Sequence, residues 1–439
     1  MRTSQVPEFK PRSRKLPLLL SSHSELARAE LDGRYLHWDE LRHRAPPRGV
    51  TREDWWQLIK LARGTLAKEL PLTDQADRPF TFAMTDSLQR ASFGLEHELK
   101  GTGKLPPPLA DPASRKRYEL SSLIEEALRS SQLEGASTTR FVAKELIRTK
   151  RTPRNESERM VLSNYHAMQW ARDNRDHRLS TSAVLELHSI VTQGLLEPAD
   201  GAGRFRHDDE KIQVVDNSSG EIVHTPPDAA LLPSRMNAMC TFANGTVNDE
   251  PFIPPVLRAI FLHFWLAYDH PFVDGNGRTA RALFYWSMLN QGYKITEFIS
   301  ISRAIKGARS QYEKAFVFSE TDGNDATYFV LNQVKMIRTA LDDMYEYVRD
   351  KTKELGDVER TVRGEMQFSE RQLAVLSHAL RHSDARFTVE GHQSAHGISY
   401  ETARTDLTSL AEAGFLERTQ VGKKLYFVPV VGLDRKQKP

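Results

Sequence analysis

The 439-residue sequence predicts a mainly α-helical protein with one short β-hairpin inside its core and a small module of helices and strands at its C-terminal end. Three observations support this fold class. Apolar residues recur at helical spacing from about residue 118 to 351, notably in segments 157–171, 181–196, 231–242 and 325–349. Two β-prone runs, 211–215 and 221–225, interrupt that pattern. A helix, a second helix and a hairpin then follow in the last 70 or so residues.

The length exceeds what one hydrophobic core usually organises, so two or three domains are expected. We predict a helical N-terminal region over residues 1–110, beginning with a polar, disordered arm, and a helical core over residues 111–350. A charged linker over 351–366 would lead to a C-terminal module over 367–432. In the N-terminal region, Thr51 stands three residues before Asp54, which is the spacing of a helix cap.

The composition argues against several classes of protein function. The 61 basic and 58 acidic side chains nearly balance, which argues against a protein coated for nonspecific binding to nucleic acid. The single cysteine, Cys240, cannot form an internal disulfide and lies in a helical pattern that favours a small core residue. Since no apolar stretch is long enough for a membrane span or a signal-peptide core, we expect a cytoplasmic protein without a membrane partner.

The first predicted helix with candidate functional residues covers about residues 118–135. Its apolar residues recur at helical spacing, and Gly135 is a good stop signal. Ser130 and Glu134 lie one turn apart on a single face, so Glu134 is placed to reach an arginine elsewhere. The alternative is a solvated glutamate near a helix end.

The hairpin over residues 211–225 leaves open strand edges in a helical protein. Such an edge can pair with an extended segment of another protein through main-chain hydrogen bonds, without reading much of its sequence. The alternative is a surface hairpin with no role in docking. His207 and His224 lack metal-ligand spacing, and we expect both to be surface histidines.

Residues 270–281 are the most informative stretch. A core-facing helix over 256–269 should stop near His270, because Pro271 disfavours helical geometry in the residue before it. Gly275 and Gly277 permit a tight turn. A second helix should run from about Gly277 to Gly292, so its free N–H groups and positive dipole end would face the turn and favour an anion.

The side chains of this stretch suit phosphate chemistry. Arg278 and Arg281 are three residues apart on the opening turn, so both guanidinium groups could neutralise one anion. Asp274 offers a carboxylate for Mg²⁺, and His270 has the ordinary pKa of a general base. Together they indicate a phosphoryl or nucleotidyl transfer centre. For any single residue, a Gly/Asn loop between buried helices with surface arginines remains the competing interpretation.

The C-terminal module predicts a helix over 368–380, an extended piece over 387–389, a second helix over 399–413 and a hairpin formed by 415–418 and 424–428. This order resembles a winged helix-turn-helix, whose second helix enters the DNA major groove. The exposed side of that helix is expected to mix basic and polar residues with acidic ones: Arg404, Thr405 and Thr408 with Glu401, Asp406 and Glu412. DNA binding and a protein-contact or dimer role are therefore about equally favoured.

The run from His270 to Arg281 resembles the Fic (Fido) signature at every fixed position: His, any, Phe, any, Asp or Glu, Gly, Asn, Gly, Arg, two of any kind, Arg. The resemblance extends to further residues of the family core: Leu187, His188, Gly203, Arg204, Phe205, Arg206, Pro226, Pro227 and Tyr312. It implies a Fic-type helical core with a β-hairpin flap. It also implies transfer of AMP from ATP to a hydroxyl of a target protein docked on the 211–225 hairpin, and of the enzyme itself.

The resemblance also implies residue roles. His270 would be the general base, and Asp274 would hold Mg²⁺ or Mn²⁺. Gly275, Asn276, Gly277 and Arg278 would cradle the phosphates, Arg281 would hold the γ-phosphate, and Tyr312 would lie beside the adenine. The kinase and phosphocholine-transferring relatives depart from the Gly-Asn-Gly-Arg stretch, which this chain keeps, so AMP is the favoured group.

Residues 130–135 resemble the family's inhibitory helix, which reads Ser or Thr, three of any kind, Glu, then Gly or Asn. Ser130 and Glu134 would then block the site in cis, with Glu134 on Arg281 where the γ-phosphate must go. Two alternatives stay open. One is a DNA-binding regulator whose Fic core senses a nucleotide; the other is an enzyme that removes AMP, with Glu134 orienting a water. Assembly into a homodimer also stays open.

Overall fold

The computed structural model describes residues 4–100, 109, 112–196, 201–216, 219–246, 248–362, 368–382, 384–421 and 424–430. It is predominantly helical and contains three separate two-stranded antiparallel hairpins in the described residues. The expected fold class, a mainly α protein with a hairpin in its core, is confirmed. In this described part of the chain, no helix is both long and apolar enough to cross a membrane.

The N-terminal region contains more strand than the sequence suggested. Its elements are α1 Lys15–His23, α2 Trp38–Leu41, α3 Arg52–Leu66, β1 Ala67–Thr73, β2 Pro79–Ala83 and α4 Asp86–Leu99. The β1–β2 hairpin was not predicted. The Thr51 hydroxyl accepts a hydrogen bond from the Asp54 N–H at 3.1 Å, as the cap spacing predicted.

The N-terminal arm is another difference from the prediction. Among residues 4–14, the Ser4 N–H donates to the Asp39 carboxylate at 3.2 Å and the Lys10 N–H donates to Gln57 Oε1 at 2.8 Å. These bonds hold the arm against α2 and α3. Residues 1–3 lie outside the described part of the chain.

Ten helices of the described chain build the core. They are α5 Pro112–Leu133, α6 Arg140–Thr149, α7 Glu156–Asp173, α8 Thr181–Val191, α9 Leu232–Ala243, α10 Pro255–Asp269, α11 Asn276–Asn290, α12 Ile301–Gly307, α13 Arg309–Thr321 and α14 Thr327–Val362. Nearly every residue of α10 and α11 is buried. Helices that are buried on nearly every side lie in the centre of a fold, and these two pack against each other there. Cys240 is buried, as expected.

Helix α14 extends beyond residue 350, where the predicted core ends. It runs to Val362, so most of the charged stretch predicted as a linker over 351–366 is helical, and residues 363–366 lie outside the described part. Charged residues such as Lys351 and Lys353 are good helix formers, so a charged composition alone does not end a helix.

The core hairpin is shorter than predicted. Strand β3 is Val214–Val215 and β4 is Ile222–His224, and their register shifts between the two β3 residues. The turn is closed by the Asp216 N–H, which donates to the Glu221 carbonyl at 2.9 Å. The irregular register limits pairing to a few residues, so most of the 211–215 run stays outside the ladder.

The C-terminal module has its own small hydrophobic core. Its elements are α15 Glu370–Arg381, α16 Val389–His396, α17 Tyr400–Glu412, β5 Leu416–Val421 and β6 Lys424–Pro429. Helix α16 was not predicted: the extended piece is confined to Phe387, which pairs with Phe427, and Thr388 caps the helix that follows. The winged-helix interpretation stays a prediction.

One residue of that interpretation is placed differently. Asp406 was expected on the exposed side of the second predicted helix, but it is buried. Its carboxylate accepts from Arg371 Nε at 2.7 Å and faces His392 Nε2 at 3.1 Å. A buried carboxylate needs such partners, and two of them from neighbouring helices draw Asp406 inward. Glu401, Arg404, Thr405 and Glu412 are exposed.

Candidate active site

The loop between α10 and α11 is held by its own side chains. His270 ends α10 in the left-handed region with φ 44°. The amide of Asn276 accepts from the Phe272 N–H at 3.0 Å and donates to the Phe272 carbonyl at 2.8 Å. Asn276, predicted to contact ATP, therefore braces the loop in this structure.

His188, on α8, packs against the loop. Its ring stacks on Phe272 with centroids 3.7 Å apart. Nδ1 accepts from the Gly203 N–H at 3.0 Å, so Nε2 carries the proton and donates to the Asp274 carbonyl at 2.9 Å. Burial lowers the pKa of His188 to about 4, which keeps the ring neutral.

Gly275 is required where it stands. Its φ is +80°, and a Cβ added there would lie 2.8 Å from Thr192 Cγ2. Both the backbone conformation and the close approach to α8 exclude a side chain.

Arg206 ties the loop to the segment that follows the flap. Its N–H donates to the Pro271 carbonyl at 2.9 Å, and Nε donates to the His270 carbonyl at 2.9 Å. A further guanidinium nitrogen donates to the Pro227 carbonyl. This arginine was noted only as part of the family core, and its carbonyl partners could not be read from the sequence.

Asp269 and Arg235 form a pair that the sequence analysis missed. Asp269 is fully buried and directly precedes His270. Arg235 Nε and a terminal nitrogen approach Asp269 Oδ1 at 2.8 and 2.6 Å, and Trp265 Nε1 donates to Oδ2 at 3.0 Å. The pair fixes the end of α10 and so the position of His270.

His270 has the form that a base requires. Burial, reinforced by nearby His224, lowers its pKa to about 4, so the ring is neutral at physiological pH. Nδ1 lies 3.3 Å from the Ala267 carbonyl, which can only accept. The proton is therefore assigned to Nδ1, and Nε2 presents a lone pair.

His224 connects the flap to the end of α10 beside His270. Its Nε2 lies 2.6 Å from the Tyr268 carbonyl and its Nδ1 lies 2.7 Å from Glu320 Oε2. The residue is therefore half-buried and bonded, not the surface histidine that the sequence suggested. It holds β4 against the end of α10. Among the described residues no group of three or more His, Cys, Asp and Glu side chains is arranged to hold a metal.

Asp274 and Arg278 are paired across one helical turn. Arg278 is 1% exposed and donates to Asp274 Oδ2 at 2.7 Å and to the Val191 carbonyl at 3.1 Å. The Asp274 side chain is 59% exposed. Arg278 is thus anchored beneath the loop, and the two arginines predicted to share one anion have different partners in this structure.

Arg281 is held by the helix of residues 112–133. Its Nε donates to the Ser130 hydroxyl at 2.9 Å, and a terminal nitrogen donates to the Ser130 carbonyl at 3.1 Å and to Glu134 Oε1 at 2.7 Å. Burial alone would raise the pKa of Glu134, but the Arg281 charge outweighs it and holds that pKa below its usual value. Glu134 is therefore an ionised carboxylate on the arginine.

Glu134 also covers the start of α11. A Cβ at Gly277 would collide with Glu134 Oε1, so only glycine lets the carboxylate approach the backbone there. The Glu134 side chain keeps 35% of its surface exposed. It occupies the same helix N-terminus that the sequence predicts for an anion.

Tyr312 lies on α13, across the site from the loop. Its hydroxyl is 3.0 Å from His263 Nε2, and its ring meets Phe316 edge-on at 5.2 Å. Burial raises its pKa to about 12, against the opposing effect of the Arg281 charge. A neutral phenol and its aromatic neighbours form an apolar wall.

The structure therefore gathers the predicted residues around the N-terminus of α11. A neutral imidazole, an exposed carboxylate and an arginine surround backbone N–H groups that can bind phosphate. The arginine Arg281 is engaged by Glu134. This arrangement can bind a nucleoside triphosphate and accept a proton from a nucleophile.

Comparison with known proteins agrees with the motif. Residues 178–288 match the Fic/DOC family model. The protein adenylyltransferase Fic of Culex quinquefasciatus is 28% identical over 189 residues, 41% of this chain and 35% of that protein. Its namesake in Nematostella vectensis is 27% identical over 185 residues, which cover 40% of each chain. The chain thus spans 35% and 40% of the length of these two relatives.

A solved Fic family protein from Desulfovibrio desulfuricans G20 aligns with 79% of this chain and 97% of its own, at 20% identity and a TM-score of 0.49. The matched range holds the whole loop from His270 to Arg281, and Glu134 and Tyr312 lie outside it. Residues 178–288, which include this loop, therefore match the Fic/DOC family, and the two adenylyltransferases named Fic are similar to this chain over part of their length.

Proposed function

We propose that this chain is a protein adenylyltransferase that moves AMP from ATP to a hydroxyl group of a target protein and of itself, and that Glu134 restrains it in cis. Relatives named protein adenylyltransferase Fic support the reaction class. The observation that carries the proposal is the neutral His270 beside a helix N-terminus and an arginine. These groups supply a base and a phosphate site within one loop.

The proposed reaction is an in-line displacement at the α-phosphorus of ATP. The hydroxyl oxygen of the target forms a bond to that phosphorus, and its proton passes to His270 Nε2. The bond from the phosphorus to the oxygen that bridges the α- and β-phosphates breaks, and pyrophosphate leaves. A positioned base of this kind contributes about 10²–10⁴-fold to the rate.

The start of α11 would bind the phosphates. Because Gly277 has no Cβ, an anion can approach its backbone closely, as the Glu134 carboxylate does in this structure, and the helix dipole favours negative charge there. Arg281 would pair with the terminal phosphate after Glu134 withdraws. Tyr312 would form one wall of the adenine site.

Asp274 fits the role of metal ligand. Its carboxylate is 59% exposed at the mouth of the site, and Arg278 uses only one of its two oxygens in the hydrogen bond described above. Mg²⁺ on a triphosphate needs only one or two protein carboxylates, the rest of its ligands being phosphate oxygens and water. Bound there, Mg²⁺ or Mn²⁺ would neutralise phosphate charge.

Glu134 would compete with the γ-phosphate for Arg281. A carboxylate 2.7 Å from the guanidinium makes a charge-assisted bond that a triphosphate in the productive pose must replace. ATP bound in a displaced pose would present its α-phosphorus badly to the hydroxyl. Misplacement of this kind costs about a hundredfold in rate.

The target protein is proposed to dock on the flap. Strands β3 and β4 form a two-stranded ladder with open edges, and His224 fixes β4 beside the base. Main-chain pairing with an edge would present a side-chain hydroxyl to His270 with little sequence selection.

The test is incorporation of label from ATP into the purified chain and into proteins of a lysate, with magnesium, manganese or a chelator. Glu134→Gly is expected to label faster than the unmutated chain, because Arg281 becomes available to the nucleotide. Adding His270→Ala to that variant should lower labelling about 10²–10⁴-fold while ATP still binds, since the base acts on the hydroxyl. Adding Asp274→Ala instead should remove the metal dependence together with ATP affinity.

Three results would count against the proposal. Full activity of the His270→Ala variant would remove the assigned base. Equal metal-stimulated ATP binding by the Asp274→Ala variant would place the ion elsewhere. A double Glu134→Gly, Arg281→Ala variant as active as Glu134→Gly alone would show that Arg281 has no part in binding the nucleotide.

A further inference from the structure

The face of α5 toward α11 carries a ladder of polar contacts that extends beyond Glu134. Glu126, Ser130 and Glu134 follow one another at intervals of four residues, so they form one stripe. On α11, Arg281 meets Ser130 and Glu134, and Tyr285, one turn further along, meets Glu126. The two helices therefore run antiparallel along this stripe, with the catalytic site at one end.

Glu126 is the buried end of the ladder and is 1% exposed. The Ser302 N–H donates to its Oε2 at 3.0 Å, the Ser300 hydroxyl donates to the same oxygen at 2.8 Å, and the Tyr285 hydroxyl lies 3.0 Å from it. The Ser302 hydroxyl donates to Oε1. A carboxylate held by so many donors from α11 and the start of α12 is locked in one place.

Nothing in the proposed chemistry uses this carboxylate, and burying it is costly. Burial raises the pKa of Glu126, and the donors around it act in the opposite direction. Its contacts join α5 to both elements that border the site. The contact that Glu134 makes depends on how α5 lies against α11, because Glu134 follows the last residue of α5.

We propose that Glu126 is a positioning residue that sets the register of α5 against α11 and so holds Glu134 on Arg281. This inference rests on the proposed function, in which Glu134 restrains AMP transfer. Glu126 and Glu134 are eight residues apart, which is about 12 Å along a helix. A helix is stiff over that distance, so a shift or rotation at Glu126 reaches Glu134. A displacement of about 1 Å would break its 2.7 Å bond to Arg281.

Glu126→Gln is the sharpest change. It keeps the shape of the side chain but removes its negative charge, so the bonds from the Ser302 N–H and from the hydroxyls of Ser300 and Ser302 are no longer charge-assisted, and the new NH₂ group can only donate. The same incorporation of label from ATP should then rise about tenfold over the unmutated chain. That factor corresponds to a loss of about 1.4 kcal/mol in the hold on Glu134.

The decisive comparison adds Glu126→Gln to the Glu134→Gly variant. If Glu126 acts through Glu134, the second change should have no further effect there. If Glu126 had only a structural role, Glu126→Gln would lower labelling both in the unmutated chain and in the Glu134→Gly variant, and that result would overturn the inference. An equal rise of labelling in both would also overturn it. Glu119→Gln is the matched control: it lies on the same helix, in an ion pair with Arg115 near the surface, and should label like the unmutated chain.

A second readout separates this inference from the proposed function. Hydrogen exchange of the amides of residues 131–134 should be faster in Glu126→Gln than in Glu119→Gln, because the end of α5 is released. Unchanged exchange together with unchanged labelling would overturn the inference even though Glu134→Gly is active. If Glu134→Gly incorporates no label, the proposed function fails, and exchange alone decides whether Glu126 holds the helix end. Should Glu126→Gln not fold, Ser302→Ala removes one of its donors and is expected to shift both readouts in the same direction.

Discussion

At the scale of single residues, the surroundings of His270 make a pH profile informative. Burial and His224 lower the pKa of His270 to about 4, and the neutral ring is the form that accepts a proton. The rate is therefore kept at pH values well above 4 and lost as the pH falls through about 4 and the ring becomes protonated. An ordinary histidine would lose activity near its usual pKa of about 6.5.

In the Glu134→Gly variant, labelling at saturating metal and ATP should be nearly equal at pH 7.5 and 5.5. A base with an ordinary pKa would label about tenfold more slowly at pH 5.5. Circular dichroism at both pH values shows whether the chain stays folded. A tenfold loss in a chain that remains folded would mean that His270 is not shielded in the active state.

Single residues also show which parts of the site could be predicted from the sequence. The spacing within residues 270–281 located the loop, and the spacing of Ser130 and Glu134 placed both on one helix face, because side-chain type and helical period are both visible in a sequence. The resemblance to the Fic inhibitory helix supplied Arg281 as the partner. The contacts of Arg206 and the Asp269–Arg235 pair were not predicted. Their partners are backbone carbonyls or residues distant in the chain, which leave no local pattern.

At the scale of elements, the flap is the part of the site that is proposed to meet the target. If an extended target segment pairs with an edge of β3 or β4, a proline at an edge position removes a donor and blocks that pairing. We expect Val223→Pro, within a scan of residues 211–215 and 221–225, to weaken labelling of lysate proteins without weakening ATP binding. Val223→Ala keeps the N–H and is the control. Unchanged labelling across the scan would assign docking to another surface.

Elements with strong helical periodicity were predicted well, and shorter ones were not. Residues Leu70 and Leu72 in β1 and Phe80 and Phe82 in β2 are buried in alternation, a strand signal that was present but was hidden by Pro71 and Pro79. Helix α16 has only eight residues and few apolar ones, so its period is too short to detect. The surroundings of Asp406 depend on packing between helices, which a helical pattern alone does not specify.

At the scale of the whole molecule, the N-terminal region is fastened to the core through a buried ionic cluster. Arg63 on α3 is 3% exposed and donates to the Leu36 carbonyl and the Tyr328 hydroxyl, each at 2.8 Å. The Tyr328 hydroxyl in turn donates to Asp322 at 2.7 Å, and Lys60 pairs with Asp322 at 2.9 Å. The cluster joins α3 to the turn between α13 and α14, the helix pair that also carries Tyr312.

Because the Arg63 charge is buried among its partners, its removal should lower the stability of the chain. Arg63→Leu would leave Asp322 with less compensation and the Leu36 carbonyl without this donor, and removing one partner of a buried pair costs about 3–5 kcal/mol. We expect the free energy of unfolding in urea to fall by that amount. Arg34→Leu is the matched control, since Arg34 pairs with Glu40 at an exposed site and such pairs contribute about 0–1 kcal/mol. A loss in Arg63→Leu no larger than in the control would mean that the N-terminal region folds independently of the turn between α13 and α14, whereas the larger loss would show that the two are stabilised as one unit.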